Sequence, residues 1–313
     1  MIVDPTPAVA AEQTKLPRKL YADTGLAAIR VNSVDAAGFL QGQLTCNVLE
    51  LTESQASIAA FCNAKGRVIS TLLVVKTPQG FILILPLGLR ECVYQKLRMY
   101  VLRAKVELTM DDQLKIFGIA GCAEDFNDQE SPQADFAVRT SPQPLLKLPG
   151  SERFLWLVQE DEVASQLEKL AGHPGFAHGS PEEWRYHDIE SGLPWFGSEQ
   201  SEQHLPQMLN IDRLGGISFN KGCYTGQEIV ARTHYLGKVK RALFIAGCAG
   251  ADLPQPGTSV LDGDNQTVGS VLAAATWQNG MRLLLVLQIV DDMSKNLILD
   301  GGNRAQLTLI SVQ

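Results

Sequence analysis

No two of the six cysteines, at positions 46, 62, 92, 122, 223 and 248, are spaced as C-x-x-C, and no histidine stands at ligand spacing beside them. That spacing argues against a structural zinc site, and a chain this long needs no disulfide framework. The thiols are read as reduced and mostly buried, as in a reducing cytoplasm. Residues 1–14 contain no Lys or Arg and only short apolar runs, so the charged start and apolar core of a secretion signal are missing. The longest apolar runs, such as 81–85 and 283–287, are strand-length and too short to span a membrane. Basic charge is scarce as well. The 27 Lys and Arg stand against 34 Asp and Glu, a net charge of −7, which argues against a broad face that coats nucleic acid and leaves room for a local basic patch. Neither a phosphate-binding glycine loop nor a Ser-His-Asp ordering occurs, which removes recognisable motifs and leaves catalysis open.

What is present is ordinary globular material, with 45% hydrophobic and 19% charged residues in 313, enough for two or three domains. Residues 1–17 are read as a mobile tail. Apolar and β-branched runs predict strands over 26–31, 57–62, 68–76 and 81–85, and Thr77-Pro78-Gln79-Gly80 reads as a hairpin turn. Leu89, Val93, Leu97, Tyr100 and Val101 fall at helical spacing after Pro86. Strands resume over 105–110, 114–120 and 153–159. An acidic loop over 122–135 and a Pro-punctuated connection over 140–151 lie between them. A helix over 161–170 ends at Gly172. Ser180, Pro181 and Glu183 form the start of a helix, with a capping box, that stops at Gly192. It carries Trp184, Arg185, His187, Asp188 and Glu190, an unusually polar and aromatic set for a core-facing element. From about residue 239 the pattern becomes strands over 241–246, 267–275, 281–289 and 305–312, joined by Gly, Asp, Asn and Pro turns, a small all-β unit. The predicted class is α+β with a C-terminal barrel, divided as 18–238 and 239–313.

The segment Lys221-Gly222-Cys223-Tyr224-Thr225-Gly226-Gln227-Glu228 carries the chemistry. Thr225 and Glu228 match a capping box, predicting a helix from Gly226 to about His234. Cys223 then precedes a helix start, whose free N–H groups and positive dipole end stabilise an anion, and Lys221 adds positive charge. Gly222 and Gly226 permit a tight turn. A buried structural cysteine is the competing reading, and it is the one adopted for the other five. The cationic Arg232, His234, Lys238, Lys240 and Arg241 follow, either a solvated face or a hold for an anionic ligand or phosphate backbone.

Through Ile229, Val230, Ala231 and Arg232 this segment closely resembles the YgfZ family, folate-binding proteins related to the glycine-cleavage T-protein aminomethyltransferase. The likeness extends to Gly215-Gly216-Ile217-Ser218-Phe219, to Phe39-Leu40-Gln41-Gly42-Gln43-Leu44-Thr45, to Asn63-Ala64-Lys65-Gly66-Arg67 and to Ile189-Glu190-Ser191-Gly192-Leu193-Pro194. The resemblance implies three subdomains in a ring around a folate pocket, ending in a β-barrel. It also implies a role in iron–sulfur cluster assembly or repair and in tRNA methylthiolation by iron–sulfur enzymes. Transient contact of Cys223 with a cluster is a further expectation, and the basic cluster after Arg232 gives a third reading, a weak direct contact with tRNA. By the same resemblance Trp184 and Glu190 would line the folate site. An indole offers a stacking face, and a carboxylate accepts paired N–H bonds from a pterin edge.

Two departures qualify the resemblance. Where the aminomethyltransferases carry an acidic pair, this chain has Ser70 and Thr71, which have no charge at neutral pH and weigh against aminomethyl transfer. Close relatives place a second folate-lining Trp where Leu26 stands. The expectation is therefore a cytoplasmic folate-binding accessory protein acting through Cys223, with folate-dependent one-carbon transfer as the alternative.

Overall fold

The computed structural model describes residues 16–121, 131–171, 176–237, 239–249, 252–278, 280–289, 296–300 and 304–310. Most of the expected tail, most of the acidic loop, Gly172 and Lys238 lie outside the described residues. In chain order the elements are β1 (Lys19–Tyr21), β2 (Leu26–Asn32), α1 (Ala36–Gln41), β3 (Ser57–Cys62), β4 (Val68–Thr77), β5 (Gly80–Pro86), α2 (Leu87–Tyr100), β6 (Glu107–Asp111) and β7 (Leu114–Ala120). Then follow β8 (Val138–Arg139), β9 (Leu145–Lys147), β10 (Arg153–Gln159), α3 (Glu160–Ala171), β11 (Ala177–His178), α4 (Pro181–Glu190) and α5 (Gln227–Tyr235). The last six strands are β12 (Arg241–Cys248), β13 (Ser259–Leu261), β14 (Thr267–Trp277), β15 (Gly280–Gln288), β16 (Leu297–Leu299) and β17 (Gln306–Ile310).

They make three β bodies. One sheet runs β3-β4-β5-β2-β6, a second runs β11-β1-β7-β10-β9-β8, and β12-β15-β14-β13-β16-β17 close into a barrel. The chain starts in the second sheet, builds the first, and returns to the second, so the two sheets are interleaved in sequence. The α+β class with a closed C-terminal barrel is the architecture observed. The short strands β1, β8, β9, β11, β13 and β16 escaped the sequence reading because two or three residues carry no readable alternation. β9 falls inside the stretch expected to be a plain connection.

The long strands form for the reasons their residues suggest. β4 is buried from Val68 through Val75 and reads as a continuous apolar run, because both faces of its sheet are covered. Leu89, Val93 and Leu97 of α2 supply the packed stripe on that sheet. At the expected hairpin, Thr77 pairs with Gly80 around Pro78 and Gln79.

α4 begins as predicted, with Ser180 Oγ accepting from the Glu183 N–H at 3.2 Å and Pro181 in the first turn. The return half of the box is not made. Glu183 is buried, and its carboxylate takes Lys19 Nζ at 2.7 and 2.9 Å instead, tying α4 to β1. A buried carboxylate gains more from a cation than from a terminal N–H.

In β14 the register shifts between Val271 and Ala273, leaving Leu272 as an extra residue. Such a bulge re-aims side chains. Val271 and Ala274 pack inside the barrel, whereas Leu272 joins the core that contains α4 and the first sheet.

Candidate functional site

A cavity of about 420 Å³ lies where the three β bodies meet. The chain between β1 and β2 supplies Thr24, Gly25 and Leu26, and Pro86 to Gly88 come from the junction of β5 and α2. One face of α4 supplies Arg185, Asp188 and Ile189, while Leu193, Trp195 and Phe196 follow from the next segment. The barrel closes it with residues 253–256 and the bulged 272–274. The size suits a small organic ligand, and a mostly apolar wall with a few polar groups is the usual construction of such sites.

The polar part of the wall is anchored below. Arg153, with no exposed surface, donates from Nη1 to Asp188 Oδ1 at 2.7 Å and from Nη2 to Ser191 Oγ at 3.0 Å. Burial pushes the Asp188 carboxyl above the usual carboxylate range, and the Arg153 charge and hydrogen bond act against that rise. Trp195 lines the cavity with a buried indole Nε1 that has no hydrogen-bond partner among the described residues. A buried donor without an acceptor is costly, and a ligand acceptor would satisfy it.

Leu26 stands in the cavity wall. Trp184 and Glu190 do not line this cavity. Trp184 is 1% exposed, with the Arg153 guanidinium 4.7 Å over its ring and the Tyr21 ring at 5.0 Å. A Cβ at Gly118 of β7 would fall 2.6 Å from it, so the indole is enclosed and offers no face to a ligand. Glu190, at the end of α4, meets His187 Nδ1 at 3.1 Å and Arg282 Nε of β15 at 3.2 Å. Burial raises its carboxyl, but the His187 hydrogen bond and the His187 and Arg282 charges outweigh that and hold it below the usual range. The aromatic surface in the cavity comes from Trp195 and Phe196, and Asp23, Asp188 and Glu199 bring carboxylates to its lining. Trp195 and Phe196 directly follow the Leu193-Pro194 of the resemblance and could have been weighed there. Asp188 was visible on its helix, but Arg153 beneath it was not.

Ser70 and Thr71 are fully buried. Ser70 Oγ donates to the Thr71 carbonyl, and Thr71 Oγ1 donates to the Pro194 carbonyl, both at 2.8 Å. The Thr71 hydroxyl thus anchors the segment that carries Leu193, Trp195 and Phe196, and neither side chain enters the cavity wall.

The cysteine segment forms a separate region and contributes no residue to the cavity lining. Thr45 Oγ1 donates to the Gly216 carbonyl at 2.7 Å, the Ser218 N–H donates to the Thr45 carbonyl, and the Thr225 N–H donates to the Gly42 carbonyl. Gly66 and Gly226, both at positive φ, meet backbone to backbone. A Cβ on Gly226 would lie 2.5 Å from the Asn63 carbonyl oxygen and 2.8 Å from Gly66 Cα. Only glycine fits that approach. The stretches containing Gly42, Gly66, Gly216 and Cys223, remote in sequence, therefore make one structure.

Within it the expected capping box does not form. The helix starts at Gln227, Gly226 caps it in a left-handed conformation, and no side chain caps it. Thr225 Oγ1 faces Gln43 at 3.5 Å, while Gln227 Oε1 accepts from the Tyr224 N–H at 3.3 Å. The Gly66 contact demands the left-handed turn, and this displaces Thr225 from the cap. Lys221 is also used differently from the prediction. Its Nζ donates to the carbonyls of Leu44 and Cys46, each at 2.7 Å, and lies 5.0 Å from the Tyr224 ring centre. Burial brings its ammonium down to about 8, with the neighbouring Cys46 acting in the opposite direction. Lys221 is the pin that fixes the loop. Cys223 is exposed, as are Gly222, Glu228 and Arg232, while Tyr224 is buried. Of the cysteines read as structural, Cys46 and Cys62 are buried, Cys92 is exposed, Cys248 is partly buried, and Cys122 lies outside the described residues.

Fold and cavity together define a class: an α+β protein of two interleaved sheets and a closed barrel around a small-molecule cavity. The match to solved structures makes this more specific. The chain is similar to the glycine cleavage system aminomethyltransferase T from Bartonella henselae, with a TM-score of 0.79 at 13% identity over 95% of this chain and 86% of that one. The heterotetrameric sarcosine oxidase from Corynebacterium sp. U-96 matches at a TM-score of 0.35 and 10% identity, over 49% of this chain and 81% of that one. The fold is thus that of aminomethyltransferase T. No protein-family model matches the sequence. Among the described residues no helix is long and apolar enough to cross a membrane.

Proposed function

We propose that this protein is a cytoplasmic, YgfZ-type accessory factor that binds a folate and supports iron–sulfur cluster assembly or repair and iron–sulfur-dependent tRNA methylthiolation, with Cys223 as the functional thiol. The observation that carries this reading is the exposure of Cys223 on a loop held rigid by Lys221 and by the Gly66–Gly226 contact. Cys92 is exposed as well, but it lies within α2, whereas Cys223 stands on a loop pinned to remote parts of the chain. An exposed thiol on a fixed loop is available to a partner protein.

The cavity supports the folate part. Trp195 and Phe196 offer aromatic surface, Asp188 an acceptor for an amino-pyrimidine edge, and the Trp195 N–H a donor awaiting an acceptor. A bound folate would supply one-carbon or redox chemistry, and this chain's part is to hold and orient it. Among the described residues no three His, Cys, Asp or Glu side chains are placed to hold a metal ion. A cluster touching Cys223 would then take its other ligands from the partner.

The test is mass spectrometry of tRNA from a deletion strain carrying wild-type or Cys223→Ala protein, with folate binding measured on both purified proteins. Loss of methylthiolated tRNA with folate binding retained is the expected outcome. Full restoration by the folded variant would remove the thiol from the proposal.

Folate-dependent one-carbon transfer is the second reading, favoured by the aminomethyltransferase fold. Ser70 and Thr71 weigh against it, since both hydroxyls donate to backbone carbonyls and neither is acidic. Turnover of small methylated amines with tetrahydrofolate would reverse the ranking.

A further inference from the structure

We infer that the C-terminal end of α5 is a docking surface for an unpaired stretch of nucleic acid. Three rings meet there at the surface. His234 lies flat on Phe219, with ring centres 3.8 Å apart and 15° between planes, and Tyr235 meets His234 edge-on at 4.8 Å and 80°. His234 is exposed and Tyr235 is 63% exposed, so the stack is open outward. Phe219 is partly buried and roots the stack against the core, while the exposed His234 and Tyr235 turn outward faces that match a nucleobase, which stacks without regard to sequence.

Charge at the same end fits the phosphates of such a strand. Arg232, Lys240 and Arg241 are exposed, and among the described residues no carboxylate pairs with any of them. Lys240 follows Tyr235 by five residues, within about 18 Å of chain even when fully extended. The one carboxylate of α5, Glu228, lies in its first turn, at the opposite end. The helix has nine residues, roughly 13 Å in length, so a strand seated here is held within a short reach of Cys223. The net charge of −7 is no obstacle, because association follows local potential.

The test uses the full chain and a short, fluorescein-labelled single-stranded RNA of mixed sequence, read by anisotropy at two or more salt concentrations. Binding is expected at low salt, with a logarithmic salt slope of about −2 for three cationic contacts. His234→Ala and Tyr235→Ala should each weaken binding about tenfold while leaving that slope unchanged. Tyr235→Phe should keep the affinity. Lys240→Glu with Arg241→Glu should weaken binding and flatten the slope. All these side chains are exposed, and unchanged melting temperature and folate binding will show that each variant is folded. Absence of binding at low salt overturns the inference. So does indifference to His234→Ala, or equal competition by heparin and duplex RNA, since these results would indicate a general attraction to acidic surfaces such as those of proteins.

Discussion

The cavity and the cysteine loop solve opposite problems with similar materials. In the cavity wall a charge pair is sealed: Arg153 beneath Asp188, with Trp184 packed on the guanidinium, so that a carboxylate is held at an apolar surface. In the loop the half-buried cation, Lys221, has no carboxylate partner among the described residues and is satisfied by two carbonyls, and the side chain of Cys223, two residues on, stands in solvent. Burial raises the Asp188 carboxyl and lowers the Lys221 ammonium, and in both cases it disfavours the charged form. The paired site is therefore the one whose disruption leaves a stranded charge. The carbonyl-pinned site can lose its proton without losing its donors.

This difference predicts unequal damage. Arg153→Met leaves Asp188 in the core without its partner and is expected to cost about 3–5 kcal/mol, read as a shift in the urea midpoint. Arg153→Met combined with Asp188→Leu should recover much of that loss, because an apolar pair removes the stranded charge along with the bond. A single variant costing under about 1 kcal/mol would mean that water reaches Asp188 and that the two regions are not electrostatically distinct.

Lys221 gives the smaller effect and a characteristic pH dependence. Its folded value of about 8 lies below that of a solvated lysine, so between roughly pH 8 and 10.5 the unfolded chain holds the proton that the folded chain has released. Stability therefore rises with pH across that window, and the cost of the buried charge is fully present below it. The gain is about 1 kcal/mol, discounted because the half-buried amine is partly screened by solvent. Urea midpoints at pH 7.5 and 9.5 should show wild-type protein gaining on Lys221→Met (about those pH values, chosen to bracket the transition). Parallel midpoints would mean that Lys221 keeps its full charge in the loop.

What was legible in the sequence follows the range of the interaction. The hairpin at Pro78 and Gln79, the stripe of α2, Ser180 as a cap and the bounds of β3, β7 and β10 are local and could be read from neighbouring residues. Thr225 failed as a cap because Gly66, remote in sequence, imposes a left-handed turn on Gly226. Lys221 was expected to serve the thiol two residues away, yet its acceptors are 175 and 177 positions distant. Trp184 was assigned a stacking role by the family resemblance, but a ring's availability depends on what covers it, here Gly118, Tyr21 and Arg153. Leu26, at the start of β2, stands in the cavity wall.

Leu26 also provides the mildest test of the comparison. It opens β2 and faces the cavity beside Pro86, with Trp195 and Phe196 lining the same space. Leu26→Trp adds a flat ring to a wall that already holds aromatic surface, and on the proposal that the cavity takes a folate, a stacking gain of about 0.8 kcal/mol corresponds to roughly a fourfold tighter folate dissociation constant. Because the cysteine loop shares no lining residue with the cavity, the substitution should leave the alkylation rate of Cys223 unchanged. Tighter folate binding with an altered thiol rate would show that the two regions communicate, and weaker binding would show that the cavity is already filled to its limit by Trp195 and Phe196.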